Sequence, residues 1–138
     1  MNHINSVLLE GYVAQGPKLI TTSSLGNKLV VFTMASNRFY YDKEENKKVE
    51  TLFIEVSAWG QLGEKILQQI QLGTLVRVVG RLRPVTWTGK DGKERSSFQI
   101  SAQHIEFKKA LKEGKEQDVA LEAHEEDEVR EPLVLYRW

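Results

Sequence analysis

The sequence predicts an all-β fold: a five-stranded barrel with one helix between strands 3 and 4, followed by a C-terminal tail. Three observations lead there. Apolar residues alternate with polar ones, or gather in short β-branched runs, in segments separated by turns rich in Gly, Pro and Asn, the pattern of half-buried and buried strands. The period changes once, where Leu62, Ile66 and Ile70 recur at i, i+4 and i+8 with Leu67 beside them, the spacing of a helix face. From about Lys108 no steady apolar period remains, and Gly114 interrupts the segment, so residues 108–138 read as a largely disordered acidic tail on a domain of residues 1–107.

Val7–Val13 (VLLEGYV) is the first strand, and Gly16-Pro17 the turn after it. The polar run Thr21–Asn27 marks a second turn. Leu29–Met34 (LVVFTM) is β-branched and apolar with few interruptions, which predicts burial on both sides. Ser36–Val49 is a polar hairpin with the aromatic triplet Phe39-Tyr40-Tyr41 at its base and Asp42–Lys48 at its tip. Thr51–Trp59 follows as the third strand, with Leu52, Ile54, Val56 and Ala58 on a core face. Thr51, Phe53, Glu55, Ser57 and Trp59 take the other face. Large aromatics among polar neighbours mark a binding surface, a subunit interface or a second core.

The helix is predicted over Gln61–Leu72, with Gly73 where a C-terminal cap belongs. Leu75–Arg83 is the fourth strand, resuming at Val85–Thr88 beyond Pro84. Gly89-Lys90-Asp91-Gly92 reads as a hairpin tip. The return strand covers Glu94–Phe107; Phe98, Ile100 and Ala102 share one parity while Ile105 and Phe107 take the other, and a bulge near Gln103 or His104 accounts for the change. The order β-β-β-α-β-β with its single helix is that of an OB-fold. An SH3-like barrel would not supply a three-turn helix at that place, and a ferredoxin-like fold would need a second one.

A chain of 138 residues without cysteine fits one domain and has no disulfide framework or thiolate chemistry. No apolar run approaches the ~20 residues of a membrane span, and the N-terminus lacks the basic region of a signal peptide. A soluble, cytoplasmic protein is expected. The formal net charge of zero averages two unlike regions. Residues 1–107 carry 13 Lys/Arg against 10 Asp/Glu, and residues 108–138 carry 6 against 9. Within Glu116–Glu131 eight acids face Arg130 alone. Catalysis finds no support: His3, His104 and His124 are scattered without metal-ligand spacing, and no phosphate-cradling glycine loop or nucleophile elbow is present. No cofactor or metal is expected.

Fourth-strand parity puts Arg77, Val79, Arg81, Arg83, Val85 and Trp87 on one face if Pro84 keeps the register, and the third strand offers Phe53 and Trp59. Aromatic planes among cations are the means by which single-stranded nucleic acid is held, bases stacking while cations track phosphates. The stacking candidates are Phe39, Tyr40, Phe53, Trp59 and Trp87. The phosphate candidates are Arg38, Lys43, Lys47, Lys48, Arg77, Arg81, Arg83, Lys90, Lys93 and Arg95. Simpler readings stand beside these. Trp59, next to Gly60 at a strand end, serves equally to close the bottom of the barrel; Arg77 can pair with Glu55; at least one of the aromatic triplet is expected to pack inward; and the loop lysines can be ordinary solvated surface.

In these residues the chain resembles the bacterial and mitochondrial single-stranded DNA-binding proteins, the handiest known example of stacking platforms on an OB-fold. The matching pieces are Asn5–Gly11 (NSVLLEG), Phe32–Ser36, Val56–Leu62 (VSAWGQL) and, above all, Gly73–Trp87 with its Gly-Arg-Leu-Arg and Trp-Thr, followed by Gly-Lys-Asp-Gly. The similarity runs in order from residue 5 to about 107. It implies that Trp87 matches a stacking tryptophan, that Phe53 and Phe39 stand at or near two further tryptophan positions, and that Trp59 stands at a stacking phenylalanine. It further implies a homotetramer around which single-stranded DNA is wrapped, opening-strand residues helping to pair protomers, and roles in replication, recombination and repair.

The tail departs from that pattern. A short Lys/Glu-rich linker replaces a long Gly/Gln/Pro-rich one. The acidic run ends in Pro132-Leu133-Val134-Leu135-Tyr136-Arg137-Trp138 rather than in an acidic Pro-Phe tip. Leu133, Val134, Leu135, Tyr136 and Trp138 are the candidates for protein contacts there. Two other functions use the same fold: an accessory protein of primosome type that works mainly through protein contacts, and an RNA-binding OB module.

Overall fold

The computed structural model describes residues 1–22, 27–110 and 116–123. Its elements are β1 (Val7–Thr22), β2 (Lys28–Tyr41), β3 (Lys47–Trp59), α1 (Gly60–Gln69), β4 (Leu75–Thr88), β5 (Glu94–Ala110) and β6 (Glu116–Glu122). The strands form one sheet in the order β3-β2-β1-β4-β5-β6, closed into a barrel where Glu55–Ser57 of β3 runs parallel to Gln99–Ser101 of β5. This is the expected OB-fold barrel, with the helix between β3 and β4.

β1 does not stop at Gly16-Pro17. Val7–Tyr12 pairs with β4 and Tyr12–Thr22 with β2, with register irregularities between Val13 and Thr21. Bulges bend a strand and raise its twist, which lets β1 serve two neighbours and turns the proposed break into a corner of the barrel. Gly11 lies just before that corner, close to β2: a Cβ there would collide with the Ala35 carbonyl oxygen. Of the polar run Thr21–Asn27 expected as a turn, Thr21 and Thr22 still belong to β1, and residues 23–26 lie outside the described residues.

The barrel interior is filled by one parity of β2 and β3, namely Val30, Phe32 and Met34 with Val56 and Ala58, and by Leu62, Ile66 and Ile70 below them. The helical period of those three residues therefore did mark a buried stripe, while Leu67 is exposed. The helix ends earlier than expected. Ile70 is its C-cap, and Gly73, at φ +87°, belongs to the following turn. That turn is claimed by β1: Gly73 N–H donates to Val13 O, and Val13 N–H donates to Thr74 O, both at 2.9 Å.

β4 continues through Pro84 without loss of register, since Arg83 faces Gln99, Pro84 faces Phe98 and Val85 faces Ser97. The expected bulge is present. Val79 pairs with His104 and Gly80 with Ala102, leaving Gln103 as the extra residue of β5, so that Ile105 and Phe107 return to the core. The carbonyl of Gln103 accepts from Ala123 N–H at 2.8 Å.

The sheet does not end at residue 107. β5 runs to Ala110, and β6 pairs with it antiparallel from His104–Glu122 to Ala110–Glu116. Leu121 joins the main core, with Val119 and Ala123 packed against it. The physical reason is an edge: β3 covers β5 only at Gln99–Ser101, leaving the later backbone groups of β5 available for a ladder. The alternation of polar and apolar residues in Asp118-Val119-Ala120-Leu121-Glu122 was the local signal, obscured by the acidic composition around it. Residues 111–115 and 124–138 of the tail lie outside the described residues.

Candidate nucleic-acid interface

β2 and β3 extend past the barrel as a two-stranded arm, paired residue for residue from Leu29–Trp59 to Tyr41–Lys47. Its tip is folded by Asp42, whose Oδ1 accepts from Glu44 N–H and Asn46 N–H, each at 2.9 Å, while Glu45 takes φ +63°. Because opposite residues share a face, Ala35, Asn37, Phe39 and Tyr41 of β2 lie on one side with Phe53, Thr51, Val49 and Lys47 of β3. On this side Phe39, Tyr41 and Phe53 are 63%, 71% and 65% exposed. Lys47 Nζ stands 4.9 Å from the centre of the Phe39 ring, and Thr51 Oγ1 donates to Asn37 Oδ1 at 2.7 Å.

The other side of the arm carries Arg38, Tyr40, Lys48 and Leu52. Arg38 Cζ lies 5.4 Å from the Tyr40 ring centre. All three aromatics of the triplet are exposed, which corrects the expectation that one packs inward: no core exists at that height of the arm. For the same reason Leu52 is half-exposed, and the core face of β3 begins only near Ile54. Tyr41 was left out of the stacking set, although alternation along β2 places it beside Phe39.

The same sheet face continues across the barrel closure. Glu55 lies beside Gln99, and Gln99 faces Arg83. Two steps on, Val85 is buried against solvent while Trp87, opposite Arg95, is half-buried. Arg95 pairs with Asp91 at 3.1 Å. Lys90 and Lys93 are exposed at the tip of the β4–β5 arm, where Gly92 takes φ +79°. Lys43 is exposed at the tip of the other arm, and Arg81 on the same parity of β4 as Arg83. One face therefore brings together Phe39, Tyr41, Phe53 and Trp87 with Lys47, Arg81, Arg83 and Arg95.

Besides Arg38, Tyr40 and Lys48 on the other side of the arm, Trp59 and Arg77 also stand apart from this face. Trp59 is only 8% exposed, packed with Leu29, Val31 and Ile20 in a second small apolar cluster. That cluster is separate from the barrel core, on the opposite face of β2 and β3, and its neighbours cover most of the Trp59 ring. Arg77 lies six residues from Arg83 along β4, about 20 Å at strand rise. It pairs with Glu10 at 2.9 Å and Glu106 at 3.6 Å, and Glu55 instead accepts from Gln99 Nε2 at 2.9 Å. The candidates Leu133, Val134, Leu135, Tyr136 and Trp138 lie outside the described residues. Among the described residues, no group of three or more His, Asp and Glu side chains is arranged to hold a metal ion, and no helix is long and apolar enough to cross a membrane.

Residues 4–108 match the model of the single-strand binding protein family. The chain belongs to that family. Among its relatives, the single-stranded DNA-binding protein of Aquifex aeolicus is 34% identical over 126 residues, 91% of this chain and 81% of its own length. Single-stranded DNA-binding protein 2 of Chlorobaculum tepidum is 31% identical over 118 residues, 86% of this chain and 80% of the relative. Single-stranded DNA-binding protein 1 of Clostridium acetobutylicum is 30% identical over 110 residues, 80% of this chain and 98% of the relative. A solved structure described as the Plasmodium falciparum SSB complex with ssDNA superposes with a TM-score of 0.65 at 22% identity, over 88% of this chain and 98% of that one. The family match includes both aromatic arms, and extends the likeness of fold to the whole barrel.

Proposed function

We propose that this single-strand binding family member holds single-stranded DNA on the face shared by the two arms and protects it during replication, recombination and repair, without catalysing a reaction. The observation that carries this is the grouping of exposed Phe39, Tyr41 and Phe53 beside Lys47 on one side of a projecting arm. Aromatic planes accept any base, and cations accept any phosphate, so such a face is tolerant of sequence. Family relatives that carry the name single-stranded DNA-binding protein support the reading. A cytoplasmic site of action is part of the same proposal.

Self-association belongs to the same proposal. Leu8, Tyr12 and Leu75 are 68%, 52% and 37% exposed on the outer side of β1 and β4, on either side of the Glu10–Arg77 ion pair, a mixed surface that a second protomer would cover. The resemblance implies a tetramer, and the tail Leu133–Trp138 is assigned to protein partners.

The test is a titration of labelled oligo-dT at two salt concentrations, followed by anisotropy. The expected result is tight binding whose log affinity falls with log salt by about 0.7 per phosphate contacted. Absence of binding, or a preference for RNA over DNA of matched sequence, would overturn the proposal.

A further inference from the structure

A row of polar side chains crosses the proposed DNA face at right angles to the strands. Register places Gln15 of β1 opposite Thr33 of β2, Thr33 opposite Glu55 of β3, Glu55 beside Gln99 of β5, and Gln99 opposite Arg83 of β4. Glu55 stands at the centre of this row. On a face that would receive phosphates, a carboxylate costs affinity unless it has another use.

Glu55 is also held in place. Gln99, only 3% exposed, donates its amide nitrogen to Glu55 Oε2 at 2.9 Å. A nearly buried amide aimed at a half-buried carboxylate fixes the orientation of that group. Phe53 lies two residues earlier on the same face of β3, about 7 Å along the strand, and is 65% exposed. A base stacked on Phe53 therefore turns an edge toward the neighbouring position, where Glu55 waits.

We infer that Glu55 reads the edge of the base stacked on Phe53 and favours bases that carry an exocyclic amine. A carboxylate is an acceptor only. Cytosine offers its N4 amine, adenine its N6 amine, and guanine adjacent N1–H and N2 donors. Thymine offers a single N3–H flanked by two carbonyl oxygens that repel the carboxylate. Overall binding stays tolerant of sequence; one position along the strand acquires a preference. This rests on the DNA-binding reading above.

The test measures affinities of the full chain for oligo-dC, oligo-dT and an alternating dT/dG oligomer of equal length, for the unsubstituted protein, Glu55→Gln and Glu55→Asp. The expected result is that Glu55→Gln lowers the affinity for the dC and dT/dG oligomers relative to oligo-dT by about fivefold, the scale of one charge-assisted hydrogen bond discounted for solvent. Glu55→Asp keeps the charge but withdraws it by one methylene, and shifts the ratios the same way. Unchanged ratios in both variants overturn the inference alone. An equal rise for all three oligomers in Glu55→Gln, with none in Glu55→Asp, also overturns it, because it shows a carboxylate that only repels phosphate. If the unsubstituted protein binds none of the oligomers, the reading beneath falls with it.

Discussion

Lys47 holds its ammonium 4.9 Å from the centre of the Phe39 ring, diagonally across the β2–β3 arm. A cation over an exposed ring keeps the aromatic plane upright and places a positive charge where the phosphate of a stacked nucleotide would pass. The two side chains therefore contribute different things to one subsite, and substitution separates them.

Phe39→Ala is expected to weaken oligo-dT binding by about 1–3 kcal/mol, the contribution of one stacked base, with little change in salt dependence. Lys47→Ala is expected to reduce the slope of log affinity against log salt by about 0.7, one phosphate contact. Anisotropy titrations at several salt concentrations measure both. Equal salt slopes for the two variants would contradict this division of labour.

Trp59 and Phe53 share one face of β3, yet their substitution should be read in different experiments. Trp59 is packed with Leu29, Val31 and Ile20, so Trp59→Ala is expected to cost about 3–5 kcal/mol of stability in urea unfolding. Phe53 is 65% exposed, and Phe53→Ala should change stability by no more than about 0.5 kcal/mol while weakening DNA binding as Phe39→Ala does. A destabilised Phe53→Ala with intact binding would remove Phe53 from the stacking set.

Those two residues also show what was legible in the sequence. Alternation correctly put Phe53 and Trp59 on one face, because the period of a strand is a local property. It carried no information on depth: β3 is exposed on both sides in the arm and buried on both sides at Ser57, Ala58 and Trp59. The Gln103 bulge was readable as a parity change between Ala102 and Ile105, since a core on one side forces such a shift to leave a trace. The partners of Arg77 were not readable, because Glu10 and Glu106 reach it through a strand order, β1-β4-β5, that closes over long sequence separations. β6 was missed because its apolar residues, Val119 and Leu121, stand in a segment whose composition is acidic.

The residues before β1 are tied to the barrel by one side chain. Asn5 Nδ2 donates to Leu82 O at 2.7 Å, and Leu82 N–H donates to Asn5 Oδ1 at 3.0 Å, so a single amide stands in for one rung of a strand ladder. Asn5→Ala removes both bonds and is expected to lower stability by about 1–2 kcal/mol. Faster hydrogen exchange at Leu82 N–H, with exchange inside the β1–β4 pairing unchanged, identifies the loss as local. Asn5→Asp keeps the acceptor but not the donor, and should retain part of the protection.

His104 links β6 to the barrel in a way that depends on pH. Its Nδ1 lies 3.0 Å from Glu122 Oε1 of β6, and its Nε2 lies 3.0 Å from Glu106 Oε1 of β5. Only the protonated ring donates from both nitrogens. The hydrogen bond to Glu106 raises the pKa of His104 above 6.5; burial opposes it, and Glu122 adds to the rise. The other charges on this side are Arg77, which also pairs with Glu106, Glu10 beyond it, and Lys108 opposite Asp118 farther along β5 and β6. With a folded pKa above the unfolded one, the stabilisation is fully present below the unfolded value and is lost as pH rises through the folded value. Stability should therefore fall from acidic toward neutral and mildly alkaline pH, and His104→Gln should flatten that dependence. Hydrogen exchange at Ala123 N–H, which bonds to Gln103 O beside the histidine, should quicken over the same range beyond the intrinsic effect of pH. An unchanged protection factor there, or an equal pH dependence in His104→Gln, would show that the attachment of β6 rests on Leu121 and the strand ladder alone.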